Sequence, residues 1–284
     1  MVALDQRESL RTMLAAASSR GVADVSDDEL TAFKVAAARE LSPHASAVLL
    51  DVDYGLWPVL DAGAIAPHCA VIIAADRLTQ PPGGAVEETD VDEDVLAEDR
   101  IAAAAAAFKL LVIWRPDRGD AERADTERIV RTFLDGCHGR GRPGIVEAIV
   151  GVADGQPAPG DHARLVVDAA TEIGRLAPDL YKAEVPTLGK AHDEDIVEAS
   201  RRLTDAIPCP WVVLSNGVAP ERFDDAAVAA CRGGASGFLA GRAIWTESIG
   251  ADNVQGHLAT VAAPRLQRLA QRVDEVVGRV GSVR

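Results

Sequence analysis

Short, continuously apolar runs alternate along the chain with longer stretches in which apolar residues recur every three or four positions. Eight runs read as strands: Val2 to Leu4, Ala47 to Leu50, Ala70 to Ala74, Lys109 to Ile113, Ile145 to Val150, Leu180 to Val185, Trp211 to Leu214 and Gly237 to Ala240. They are rich in Val, Ile and Leu, as suits strands covered on both faces in a parallel sheet packed against helices. Between them the helical period predicts helices over Asp28 to Glu40, Asp94 to Ala107, Ala121 to His138, His162 to Leu176, Asp193 to Ala206 and Asp224 to Arg232, with an outer helix over Pro264 to Val280.

This alternation suits either a doubly wound open sheet, which gathers its functional residues at one switch point, or a closed barrel, which spreads them over many strand ends. Polar residues follow almost every run: Asp5, Asp51, Asp76, Arg115 with Asp117, Asp154, Glu184, Ser215 with Asn216, and Arg242. The expectation is therefore an α/β protein, a (β/α)8 TIM barrel forming a single domain over residues 1–284. Two connections are long. Leu10 to Leu41 holds two helices, the second opened by a capping box of Ser26 and Glu29. Asp76 to Glu98 contains Pro81-Pro82-Gly83-Gly84 and a dense acidic stretch, and reads as an exposed acidic loop or as a lid over the barrel mouth.

Composition narrows the partners. With 284 residues, 48% of them hydrophobic, one large core can be buried. A net charge of -15 repels nucleic acid and anionic membrane surfaces, so an anionic substrate must be held by local cations and backbone amides. No apolar run approaches the roughly 20 residues of a membrane span. The first residues lack signal-peptide character, and a soluble cytoplasmic protein is expected. Cys69, Cys137, Cys209 and Cys231 are scattered, as buried thiols of a reducing compartment would be. The six histidines show no metal-binding spacing, and no phosphate-binding or nucleophile-elbow glycine motif follows a strand.

Two lysines inside apolar runs, Lys109 and Lys182, need explaining, because an ammonium is seldom buried without a partner. Strand alternation puts Lys182 and Glu184 on one face, with Tyr181, Ala183 and Val185 on the other. An inward lysine whose amine pKa is lowered by desolvation, and by a second ammonium at Lys109, is a candidate Schiff-base nucleophile. The competing reading is a structural ion pair of Lys182 with Glu184 or Glu147. The ends of the last two runs, Ser215-Asn216-Gly217 and Gly241-Arg242, suit phosphate binding: they offer a hydroxyl, close backbone approach and a guanidinium.

These residues resemble a known family, the class I aldolases that cleave tagatose 1,6-bisphosphate or 6-deoxy-6-sulfofructose 1-phosphate. The resemblance spans essentially the whole chain. It rests on Leu4-Asp5-Gln6-Arg7-Glu8, Leu41 to Ala47, Lys109-Leu110-Leu111, Asp179 to Pro186, Pro210 to Ser215 and Gly234 to Trp245. It implies Lys182 as the Schiff-base lysine and Lys109 as a second active-site lysine. Glu147 and Asp5 become the acids beside them, Glu147 being the first candidate for the base. Gln6, Ser215, Gly217, Gly241 and Arg242 look like a phosphate-binding set, and neither metal nor organic cofactor is implied. Relatives also carry a segment before the first strand that this sequence lacks.

Trp114-Arg115-Pro116-Asp117, Glu8 after Gln6-Arg7 and the compact length are similar to the sulfofructose phosphate enzymes, which this reading favours. Asp51-Val52-Asp53-Tyr54-Gly55 looks more like the tagatose branch. Arg115, Asp51 and Asp53 are thus expected to contact the sugar. The expected ligand is a small sugar phosphate or sulfosugar phosphate, and a homo-oligomer is expected, since exposed helices of such barrels often support one. A rival of a different class, a non-catalytic sugar-phosphate sensor, would need phosphate binding but no nucleophile.

Overall fold

The computed structural model describes residues 1–81, 84, 86–151 and 158–281; Asp154, Pro82 and Gly83 of the sequence analysis lie outside them. Seven parallel strands form one sheet: β1 (Val2–Leu4), β2 (Ala47–Leu50), β3 (Ala70–Ala74), then β6 (Ala107–Trp114), β7 (Gly144–Val150), β8 (Leu180–Glu184) and β9 (Trp211–Leu214), adjacent in that order. Between β3 and β6 a separate antiparallel pair, β4 (Asp76–Thr79) and β5 (Glu88–Val91), leaves the sheet. Seven of the eight predicted strands thus form, four of them (β1, β2, β3 and β9) at their predicted limits.

The eighth does not form a ladder, so the described residues hold seven main-sheet strands rather than a closed set of eight. Single parallel bridges join Phe238 to Val213 and Ala240 to Val2. Backbone bonds nonetheless run from this segment to both edges, from Leu239 N to Val213 O (2.9 Å) and from Ala3 N to Ala240 O (2.9 Å). The cause is local: Gly237 has φ +148° and Gly234 φ +114°, conformations foreign to an extended strand, and glycine adds no side chain to stiffen one.

Alternation along each strand builds two layers inside the sheet. Ala3, Ala74, Ala107, Ile145, Val212 and Leu239 belong to one apolar cluster that plugs the interior, with Leu180 packed against it. Two residues further along each strand stand Asp5, Asp76, Lys109, Glu147, Leu214, Gly241 and Lys182. With a side-chain period of two, these must lie directly above the plug. The opposite faces pack against the helices in a larger core that includes Phe108, Leu110, Tyr181, Ala183 and Val213.

The helices follow the predicted stripes. Asp193–Ala206 matches its expected limits, and Ser26 caps Asp27–Leu41 with Glu29 reciprocating. Leu266, Leu269 and Val273 bury one face of Ala263–Gly281. The expected helix over Asp94 to Ala107 is instead two short ones, Glu93–Ala97 and Asp99–Ala104, broken at Glu98 in extended backbone, and Ala107 opens β6. The acidic connection is corrected as well: it is the β4–β5 hairpin, in register from Asp76 opposite Val91 to Thr79 opposite Glu88. No helix among the described residues is long and apolar enough to cross a membrane. Cys69, Cys137 and Cys231 are buried free thiols and Cys209 is partly buried.

Candidate active site

Above the plug, at the C-terminal ends of the strands, lies a cavity of about 840 Å³ lined by Asp5, Asp76, Lys109, Glu147 and Lys182. Parallel register sets Lys182 beside Glu147 and Glu147 beside Leu111, so the two lysines approach from β6 and β8 across one intervening strand. They meet on a single carboxylate oxygen. Glu147 Oε2 is 2.7 Å from Lys182 Nζ and 3.2 Å from Lys109 Nζ. Lys182 therefore pairs with Glu147 and not with Glu184, the other partner considered for it.

Lys109 is the centre of the charge arrangement. Its ammonium also donates to Asp5 Oδ2 (2.8 Å) and Asp76 Oδ2 (2.9 Å), three carboxylates around one cation. Burial alone would lower its pKa, but the three carboxylates outweigh it and hold the ammonium well above the ordinary lysine range. For Asp5 the opposing effects are burial, which raises, and Lys109, Lys182 and Arg7, which lower; the cations win and keep it ionised far into acid. Asp76 also accepts from Leu111 N (3.1 Å) and from Arg7 Nη1 (3.0 Å), which fixes the start of the hairpin.

The opposite side of the cavity has the groups suited to an anion. Gln6, Ser215, Asn216, Gly241 and Arg242 line it. A Cβ at Gly241 would sit 2.6 Å from Ala3 O, so the strand crossing here requires glycine. Gly217 holds the turn after β9 at φ +73° and is not among the lining residues, so its expected part in phosphate binding reduces to shaping that turn. Among the described residues no three His, Cys, Asp or Glu side chains are grouped as a metal site.

The model of the DeoC/LacD family of aldolases matches residues 1–247. The chain belongs to that family. This makes it an aldolase, and so an aldehyde-lyase. Tagatose 1,6-diphosphate aldolase 1 of Streptococcus pyogenes serotype M3 is 27% identical over a 306-residue alignment covering 96% of this chain and 90% of the relative. The enzyme of the same name from Enterococcus faecalis is 25% identical, with the same coverage. Among solved structures, a Schiff-base-forming fructose-1,6-bisphosphate aldolase is similar in fold (TM-score 0.58, 13% identity, covering 96% of this chain and 93% of that one). So is Cgl0159 from Corynebacterium glutamicum (TM-score 0.64, 14% identity, 97% and 85%).

Two expected contacts of this aldolase fall away. Arg115 forks onto Asp117, with Nη2 2.9 Å from Oδ2, and lines no part of the cavity. Asp51 is fully buried outside it, paired with Lys34 and accepting from Tyr54 N (2.7 Å). Asp53 does line the cavity, 2.9 Å from Arg7 Nε. Lys34 further donates to Leu4 O (2.6 Å) and Gln6 O (2.7 Å), so the buried pair anchors the turn that carries Asp5 and Gln6 into the site. Asp51→Asn should therefore cost about 3 kcal/mol of unfolding free energy, as expected when one partner of a buried pair is lost. Urea titration and Michaelis kinetics together check this: the stability falls, and the KM of the folded fraction rises as the turn carrying Asp5 and Gln6 loses its anchor.

Several functional groups escaped the sequence reading. Lys34 sits in the apolar stripe Leu30, Phe33, Ala37, Ala38, Leu41, and that misplaced charge was a usable signal. Asp76 was visible only as a polar residue at a strand end, and Arg7 only within the Leu4-Asp5-Gln6-Arg7-Glu8 motif. Glu184 is 2% exposed and accepts from Val150 N (2.8 Å) and Asn216 Nδ2 (3.0 Å). Burial pushes its carboxyl up to about 7.

Proposed function

We propose that this aldolase cleaves a ketose 1-phosphate through a Schiff base on Lys182 and releases dihydroxyacetone phosphate. One observation carries the reading: two buried lysines share one carboxylate at the floor of a cavity whose far wall carries Ser215, Gly241 and Arg242. A sensor would need that wall but no such floor. We read the seven strands, bridged through residues 236–240, as a variant (β/α)8 barrel.

The Lys182 nitrogen adds to the C2 carbonyl, and loss of that oxygen as water leaves an iminium. The C3–C4 bond then breaks, its electron pair passing to C3 as an enamine while the C4 hydroxyl proton passes to Glu147 and the aldehyde leaves. Protonation at C3 and hydrolysis free the ketone product. Glu147 is the better base on two grounds. It stands 2.7 Å from the reacting nitrogen, whereas Asp5, held ionised far into acid by Lys109, binds a proton too weakly to draw one efficiently. Lys109 stays charged and keeps both acids in place.

For the aldehyde half, the sulfofructose 1-phosphate reading leaned on the segment after β6. Arg115 is turned onto Asp117 there, while Asp53 of the tagatose-like segment lines the cavity and curated relatives carry the tagatose name. We therefore rank tagatose 1,6-bisphosphate, giving glyceraldehyde 3-phosphate, ahead of 6-deoxy-6-sulfofructose 1-phosphate, giving sulfolactaldehyde. Turnover of the two, measured with a chelator present, tests both points. The expected result is a higher kcat/KM for the bisphosphate and no loss on chelation. A higher value for the sulfosugar reverses the ranking, and chelator-sensitive activity overturns the metal-independent mechanism.

A further inference from the structure

Glu184 shares an inward strand face with Lys182 but does not touch it. Its two oxygens accept from Val150 N and from Asn216 Nδ2, and Asn216 Oδ1 in turn accepts from Arg242 Nη2. Arg242 is an exposed side chain on the cavity rim, which would otherwise sample many rotamers. The other arginines of the cavity, Arg7 and Arg77, are tied directly to carboxylates. Arg242 is tied to a neutral amide.

We infer that Glu184 is a positioning residue for the phosphate site: through Asn216 it fixes the Arg242 guanidinium without neutralising it. The inference rests on the phosphate-binding role proposed above for Arg242. Its logic is donor and acceptor polarity. A carboxylate only accepts and a guanidinium only donates, so the amide between them satisfies both in one orientation alone, nitrogen towards Glu184 and oxygen towards Arg242. A carboxylate placed directly on Arg242 would orient it as well but would cancel the charge an incoming phosphate needs. The relay keeps the negative charge buried, one amide away.

Glutamine at 184 has the same shape and the wrong polarity. If its oxygen accepts from Val150 N, its amide nitrogen faces Asn216. Asn216 must then turn its oxygen inward, and two donors confront each other at Arg242. If its oxygen stays on Asn216, the Val150 N–H faces a donor instead.

The test is borohydride trapping at pH 8, with dihydroxyacetone phosphate and with unphosphorylated dihydroxyacetone, in the wild type, Glu184→Gln and Asn216→Ala. Both variants should need roughly tenfold or more dihydroxyacetone phosphate for half-trapping, the size of a lost charge-assisted hydrogen bond. Trapping of dihydroxyacetone should be unchanged. Equal weakening of both ketones would show a merely structural role, and no change in either would show that the relay does not act; each overturns the inference. Should Glu184→Gln not fold, Glu184→Asp, which keeps the carboxylate but withdraws it from Asn216 Nδ2, decides in its place: the same selective loss of dihydroxyacetone phosphate trapping supports the inference, and equal weakening of both ketones or no change overturns it. A wild type that traps neither ketone overturns the Schiff-base reading itself, a separate failure.

Discussion

Lys182→Met should lose carbon–carbon bond cleavage by on the order of 10⁴-fold or more in kcat, as removal of a covalent nucleophile does. The fold should survive. Methionine has nearly the length of lysine without its charge, and Glu147 keeps a cation, because Lys109 Nζ lies 3.2 Å from the same oxygen. Substrate should still bind, since Ser215, Gly241 and Arg242 are untouched. Stopped or steady-state assay of aldehyde release, paired with thermal melting, checks this. A variant that melts as the wild type does and yet cleaves at a tenth of its rate or better, on the order of 10-fold loss or less, would remove Lys182 from the covalent role.

Lys109→Met should behave differently, because stability and chemistry fail together. Asp5, Asp76 and Glu147 would lose their common partner, and an uncompensated buried charge costs on the order of 3 to 5 kcal/mol. The pH dependence has a definite sign. In the wild type the folded-state pKa of Asp5 lies below its usual 3.8, so Asp5 adds stability above that pH and this is lost in acid. In the variant Asp5 keeps the burial that raises its pKa and loses Lys109, the foremost of the cations that lower it, so its pKa rises and stability falls as pH rises through it. The gap between the two proteins should be wide at pH 7.5 and narrow towards pH 5. Lys109→Arg should not restore activity, because a planar fork replaces a compact ammonium at a site only 1% exposed. Urea unfolding at both pH values with parallel kcat measurement decides. Equal destabilisation at both pH values would contradict the three-carboxylate account.

Both lysines were legible because a charge inside an apolar strand contradicts its surroundings, and strand period two set Lys182 on one face with Glu184 without saying which face looked inward. Glu147 was named as an ion-pair partner of Lys182 and, through the family resemblance, as the first candidate for the base. Asp76 and Glu184 carry no such contradiction, since a carboxylate at a strand end is ordinary. Their roles depend on what arrives from other strands: Lys109 at Asp76, Asn216 at Glu184. The β4–β5 hairpin was illegible for a related reason. Glu88–Val91 is acidic and only its last residue is buried, so no apolar alternation marks it. Each strand of the pair exists because the other does. Arg115 and Asp51 misled in the opposite way. Position after a strand promised a place in the cavity, but Asp117 two residues on and Lys34 across the turn each offered a closer partner. The eighth strand was legible as an apolar run, and only its glycine conformations kept it from a regular ladder.

Lys182 is expected to form a covalent imine with the ketone product. Wild-type enzyme is incubated with dihydroxyacetone phosphate, reduced with borohydride, digested and mapped by mass spectrometry. A reduced adduct on the peptide Tyr181-Lys182-Ala183-Glu184, absent without ketone and absent in Lys182→Met, is the predicted result. An adduct confined to Lys109, or an unmodified Lys182 under conditions that inactivate a known class I aldolase, would contradict it.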